Sequence, residues 1–151
     1  MHIRSMTLSD VPQVAHLEAM IAPSPWTPAL FDEEIGLGGY CRLLEGPSGR
    51  VLGYSVARLQ VDEWHLLTLG IAPDFRRQGG ARRLLDDLIQ HATTRGDREI
   101  LLEVRASNLP ARTLYQERGF QFLYMRKGYY RLEAGSEDAL LLSRRLAGME
   151  A

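Results

Sequence analysis

Residues 75–85, FRRQGGARRLL, gather four arginines and two adjacent glycines directly in front of a leucine-rich stretch. Gly79 and Gly80 let a backbone approach a ligand closely, and Arg76, Arg77, Arg82 and Arg83 supply positive charge. The first turn of a helix adds N–H groups without intrahelical partners and the positive end of a dipole, so the combination suits a phosphate or pyrophosphate. It is neither a Walker loop, since no Gly-Lys-Ser/Thr follows, nor a dinucleotide fingerprint, since Gly-x-Gly-x-x-Gly is absent. Taken alone, the stretch fits equally well as a solvated basic helix start eased by a glycine turn. Other reactive residues offer less. Cys41, inside the apolar run YCRLL, reads as a strand residue of the core rather than a nucleophile. His2, His16, His65 and His91 are scattered and do not combine with Cys41 at metal-ligand spacing, so no metal is expected. No Gly-x-Ser-x-Gly element is present. The acidic runs at 32–34 and 86–87 read as solvated helix faces, and Arg144 and Arg145 fit equally a contact with acidic RNA or protein and a polar chain end.

A glycine and arginine turn needs a strand before it and a helix after it. EWHLLTLGIAP supplies the strand. In GGARRLLDDLIQHATTRGD, Ala81, Leu84, Leu85, Leu88, Ile89 and Ala92 recur at helical spacing up to Gly96. Upstream, MHIRSM reads as a short strand, and SDVPQVAHLEAMI as a helix capped by Ser9 or Asp10. A second helix restarts at Thr27 with Pro28 in its first turn and exits through GLGG. YCRLLEG and RVLGYSVARLQ are strands separated by PSG. Downstream come the strand REILLEVRA, a short helix from Asn108 to Gly119, and the strands FQFLYMRKGYYRL and DALLLSRRL. Seven strands and four helices in this order predict a single α/β domain over residues 1–151, with a mixed, mostly antiparallel sheet flanked by helices.

The whole chain restricts partners and location. At 151 residues, 45% hydrophobic and 25% charged, with mean hydropathy −0.19, it reads as one soluble globular domain. A formal charge of −1 gives no global pull toward nucleic acid or anionic lipid, so any polyanion site is local. No apolar run resembles a secretory signal or a membrane span, and a single cysteine suits a reducing compartment. The expectation is a cytoplasmic protein, without membrane or direct nucleic-acid binding.

Arg76-x-x-Gly79-x-Ala81 resembles the Arg/Gln-x-x-Gly-x-Gly/Ala loop of the GCN5-related N-acetyltransferase (GNAT) superfamily, in which loop amides hold the pyrophosphate of acetyl-coenzyme A. EVRASNLPARTLYQERGF, residues 103–120, resembles the strand-then-helix segment of the same superfamily through Asn108, Leu114-Tyr115 and Gly119-Phe120. Within it, DEWHLLTLGIAPDFRRQG, LEVRASN and RKGYYRLEAGSEDALLL are similar to the bacterial ribosomal-protein-alanine (RimI-type) family, and SPWT to its Pro-Trp-Ser/Thr element. The likeness covers roughly residues 50–145 and implies a GNAT fold.

Acetyl transfer from a thioester to an amine needs a neutral amine, a proton acceptor, and a group that stabilises the departing thiolate. An α-amine with a pKa of about 7.7–8.0 is largely protonated near neutrality, so a base is required. The resemblance assigns that role to Glu103, in the apolar run ILLEV, where burial would raise its pKa toward the working pH. It assigns the acid to Tyr115, whose reference pKa of about 10 lies above that of a thiol, about 8.5. It further implies that Leu69, Gly70 and Ile71 hold the acetyl carbonyl and pantetheine arm, with Arg76, Arg77, Gln78, Gly79, Gly80, Ala81, Arg82 and Asn108 completing the coenzyme site. Asn108 also suits a helix cap. The implied acceptor is a protein N-terminus, an N-terminal alanine of a ribosomal protein, with Trp26, Tyr40, Asp62, Glu63 and Tyr129 as candidate groove residues. Two departures stand out: Gly80-Ala81 in place of a bulky residue and glycine, and Pro110 and Thr113 where small residues are usual. Lysine or small-amine acetylation, or a non-catalytic coenzyme A-binding module, are the competing readings.

Overall fold

The computed structural model describes residues 1–132 and 135–146; Glu133 and Ala134 of the RimI-type ending lie outside them. Seven strands form one mixed sheet in the order β1-β2-β3-β4-β5-β7-β6. These are β1 (His2–Ser5), β2 (Tyr40–Glu45), β3 (Val51–Gln60), β4 (Glu63–Ile71), β5 (Glu99–Arg105), β6 (Gln121–Leu132) and β7 (Gly135–Arg145). The helices are α1 (Val11–Ile21), α2 (Pro28–Gly36), α3 (Gly80–Arg95) and α4 (Leu109–Glu117). The predicted element order is therefore observed, with short 3₁₀ turns between elements. β4 and β5 run parallel, whereas the β1–β2, β2–β3, β5–β7 and β6–β7 pairs are antiparallel.

The chain divides into two compact units, and the divisions fall within β3, β4 and α3. The first comprises Met1–Arg58 and Leu67–Leu88. In it, α1 buries Val11, Val14, Ala15 and Glu18, the positions its helical spacing selects. These pack with Phe31 of α2 and with Cys41, Leu43, Tyr54 and Val56 of the sheet. The chain entering α1 differs from expectation in one detail. Asp10 stands at the N-cap but makes no side-chain cap bond; its carboxylate instead accepts from the two terminal guanidinium nitrogens of Arg4, at 2.8 and 2.9 Å, and from Thr7 N–H. A charged partner outcompetes the weaker cap. Thr27 caps α2 as predicted, accepting from Leu30 N–H, and Pro28 occupies the first turn.

The second unit comprises Leu59–Leu66 and Ile89–Ala151. β5 is its central strand, paired with Glu63–Leu66 of β4 on one side and with β7 along Glu99–Arg105 on the other. Its side chains alternate between half-buried and buried, so Ile100, Leu102 and Val104 fill one face and Glu99, Leu101, Glu103 and Arg105 occupy the other. Trp64 is buried and donates its indole N–H to Asp97 at 2.8 Å.

The acidic runs are less solvated than expected. Asp32 and Glu33 are exposed, but Glu34 is buried and ion-paired with Arg58, and Asp87 accepts the buried Tyr40 hydroxyl. Both partners come from strands that sequence separation hides.

Candidate active site

The first unit carries the glycine and arginine turn. A 3₁₀ turn, Pro73–Phe75, follows β4 and leads into residues 76–79, after which α3 begins at Gly80. Arg77 (φ 63) and Gly79 (φ 82) both adopt the left-handed region. A non-glycine residue there costs roughly 1–2 kcal/mol, strain of the kind that recurs at ligand-binding turns. Such a conformation is the kind by which successive backbone N–H groups are turned to one side at an anion-binding helix N-terminus. Arg76, Arg77 and Arg82 of this segment are exposed. Gly79 accepts the Arg83 N–H at 3.0 Å, the first bond of the helix.

The turn is fixed to its preceding strand by packing. Ile71 of β4, Leu84 of α3, Leu44 and Leu52 form one buried cluster, with Leu69, Phe75 and Ala81 against it. A Cβ at Gly80 would lie 3.1 Å from both Ile71 Cδ1 and Leu44 Cδ2 and 3.3 Å from Phe75 Cε2. The Gly80-Ala81 departure thus brings the helix start close onto β4. At Gly70, a Cβ would fall 2.5 Å from Tyr54 Cζ and 2.7 Å from Ile21 Cδ1, so only glycine fits. Leu69, Ile71 and Ala81 thus share one packed cluster, and Gly80 packs closely against it.

The second unit carries the proton-transfer candidates. Glu103, near the end of β5, is half-buried, its side chain 30% exposed, with Oε1 3.3 Å from Arg126 Nη1 of β6. The burial expected from its apolar neighbours in sequence is incomplete: those neighbours alternate to the opposite face, and a guanidinium from β6 stands beside the carboxylate. Tyr115 is buried in α4 with its ring T-shaped against Phe120 at 5.7 Å. Burial, with a smaller contribution from Tyr130, pushes its phenol up to about 12. It is a protonated hydrogen-bond donor throughout the neutral range.

Local contacts hold α4 in place. Glu137 of β7 accepts the Ser107 N–H at 2.7 Å, and Ala106 N–H donates to the Asp138 carbonyl at 3.0 Å. Asn108 caps the helix, Oδ1 accepting from Ala111 N–H at 3.3 Å. Pro110 lies in the first turn, where a missing N–H breaks no helical bond, and the helix continues through Tyr115.

A glycine and arginine turn, a paired carboxylate and a buried phenol, each at its motif position, meet a decisive match: the Acetyltransferase (GNAT) family model covers residues 11–120. The chain belongs to the GNAT acetyltransferase family. As a GNAT enzyme it is an acyltransferase that uses acetyl-CoA. It is 33% identical over 141 residues to the [ribosomal protein bS18]-alanine N-acetyltransferase of Escherichia coli K12, covering 93% of this chain and 95% of that protein. It is 32% identical over 137 residues to the protein of the same name from Haemophilus ducreyi, covering 90% of each. The crystal structure of the ribosomal-protein-S18-alanine N-acetyltransferase from Escherichia coli superposes with a TM-score of 0.90 at 31% identity, covering 99% of this chain and 97% of that one.

Within this GNAT chain several acceptor-groove candidates have other partners. Tyr40 is buried against Asp87, and Asp62 and Glu63 join an ion cluster around Arg98, at 3.5 and 2.5 Å. Tyr129 is half exposed, with the Arg126 guanidinium 5.1 Å from its ring centroid. The residue that sequence reasoning missed is its neighbour Tyr130. Its phenol is raised by burial and then by the nearby Glu103 carboxylate, and it perturbs Tyr115 in turn. The signal was strand alternation: Tyr130 pairs with Glu137, which shares the odd-numbered β7 face with Leu141, the partner of Glu103. Cys41 is buried, which pushes its thiol up to about 11 and suits it poorly for a covalent acyl carrier. Among the described residues no group of His, Cys, Asp and Glu could hold a metal, and no helix is long and apolar enough to cross a membrane.

Proposed function

We propose that residues 1–151 act as one cytoplasmic catalytic domain that acetylates the N-terminal α-amine of a protein, an N-terminal alanine of a ribosomal protein. The observation that carries this reading is retention of the Glu103 and Tyr115 pair in a chain similar over nearly its whole length to ribosomal-protein-alanine acetyltransferases. Residues 76–82 hold the pyrophosphate through backbone N–H groups and arginine charge. Leu69, Gly70 and Ile71 take the pantetheine arm as an added strand, and Asn108 contributes its side-chain amide. The neutral amine attacks the thioester carbonyl carbon directly. Glu103 accepts the amine proton, the C–S bond breaks, and Tyr115 donates its hydroxyl proton to the departing thiolate. No acyl-enzyme is formed, in keeping with the raised pKa of buried Cys41.

Free-thiol release from acetyl-CoA, measured with peptides bearing a free N-terminal alanine and with the same peptides blocked at the N-terminus but carrying a free lysine, tests the reading. Turnover with the free terminus alone is expected. Turnover with the blocked, lysine-bearing peptides would make the protein a side-chain acetylase, and coenzyme binding without turnover would make it a binding module.

A further inference from the structure

An amine that arrives protonated sheds two protons on its way to an amide, one before it can attack and one from the tetrahedral adduct. A single carboxylate holds one proton at a time, so Glu103 serves one of these steps and leaves the other without an acceptor. His65 stands on the same face of the second unit. β4 and β5 run parallel with His65 opposite Leu101, and burial alternates in phase along them. Trp64 and Leu66 are buried with Ile100 and Leu102, while Glu63 and His65 are half-buried with Glu99, Leu101 and Glu103. His65 and Glu103 are thus one strand and two residues apart, roughly 8 Å between Cα atoms at ordinary strand spacings, a separation that long side chains span. The His65 side chain is 35% exposed, yet its Nε2 is buried and makes no hydrogen bond among the described residues. Glu63 Oε1 stands 3.6 Å from that nitrogen, and Glu63 Oε2 is held by Arg98 at 2.5 Å. The other charged and titratable groups near this pair are Glu99, which takes Ser143 and Arg98, and Arg126 and Tyr130 beside Glu103.

A carboxylate beside Nε2 favours the imidazole proton on that nitrogen and leaves Nδ1 as an acceptor, and an imidazole exchanges protons near neutral pH. We propose that His65 is the second proton acceptor of the reaction. The incoming ammonium gives one proton to His65 Nδ1, Glu63 stabilises the imidazolium, and the neutral amine attacks the thioester carbon. Glu103 then takes the second proton from the adduct nitrogen. The C–S bond breaks as Tyr115 gives its hydroxyl proton to sulfur, and the Glu103 proton restores the phenol. The His65 proton leaves to solvent from the exposed ring, so each turnover releases one proton. The inference rests on the α-amine reading above, with Glu103 as base.

Steady-state kinetics against pH, with a peptide bearing a free N-terminal alanine, test this in the full chain. At about pH 6.5 only about 3–6% of an α-amine is neutral, and an enzyme that cannot discharge the ammonium depends on that fraction alone. His65→Gln keeps a polar side chain without a proton acceptor. It is expected to lower kcat/KM about tenfold at about pH 6.5 and to stay within about twofold of wild type at about pH 9.5, where the amine is already neutral. Glu103→Gln is expected to stay low at both values, because the adduct proton must leave at any pH. His65→Ala is expected to lose as much as the glutamine variant at about pH 6.5 and to recover several-fold with added imidazole, and it decides the matter where His65→Gln fails to fold. Equal losses at both pH values in His65→Gln, or a His65→Gln enzyme like wild type at about pH 6.5, would overturn the inference alone. Absence of wild-type turnover on every peptide, or a Glu103→Gln enzyme within about threefold of wild type, would instead overturn the reading it rests on, and this inference with it.

Discussion

In the proposed mechanism Glu103 and Tyr115 divide the proton transfers between a half-buried carboxylate and a buried phenol, and each has its own test. Replacing Glu103 with glutamine keeps the shape but removes the acceptor, so kcat/KM for peptide is expected to fall about 10²–10⁴-fold, the usual contribution of a general base. Steady-state kinetics check it, and a variant within about threefold of wild type would remove Glu103 from the mechanism. The Tyr115 hydroxyl acts in its protonated form, and burial holds its pKa at about 12. Its contribution is therefore present below that value and lost only as pH climbs through it. The amine must be neutral, so activity rises through about pH 8. The kcat/KM profile is expected to rise and then stay level to about pH 10.5, whereas a fall centred near an ordinary tyrosine pKa of about 10 would contradict the burial argument. Arg126 beside Glu103 was not legible in the sequence, because the two meet only when β6 and β5 flank β7 in the sheet.

At the scale of elements, the turn before α3 depends on backbone conformation. Gly79, at φ 82, has open space where a Cβ would stand, with nothing within 4 Å, so Gly79→Ala is opposed by conformation and not by crowding. A cost of roughly 1–2 kcal/mol and about a tenfold rise in the acetyl-CoA KM are expected, read by thermal melts and kinetics, with the peptide KM little changed. An unchanged acetyl-CoA KM would separate the turn from pyrophosphate binding. The link between β1 and α1 gives an acid-side prediction. Arg4 holds the Asp10 carboxyl at about 2, so its stabilisation is present above the unfolded value and lost as pH falls toward 2. The thermal midpoint of wild type is expected to drop more steeply between about pH 4 and about pH 2 than that of Asp10→Asn, and parallel curves would exclude the pair as a source of acid sensitivity. The element order was legible because α3 and β5 carry clean periods, whereas local competition was not. Asp10 has the residue type of a cap, yet Arg4, six positions earlier, takes its carboxylate.

Over the whole molecule, the sequence carried the family because its two motifs encode backbone geometry and proton chemistry together. The first 50 residues carried less of it. Their polar contacts join partners far apart in sequence: Glu18 with Tyr54 and Thr68, and Glu34 with Arg58. A buried glutamate on a helix looks like any solvated one until its donors are placed. The formal charge of −1 supplies no long-range attraction for a polyanion, so the proposed coenzyme recognition rests on local groups in residues 76–82. Acceptor choice is the central claim, and one peptide carrying both a free N-terminal alanine and an internal lysine tests it most directly. After incubation with acetyl-CoA and enzyme, fragment mass spectrometry locates the acetyl group. The account predicts acetyl on the N-terminal nitrogen, with the lysine unmodified; acetyl on the lysine, with the terminus free, would contradict it.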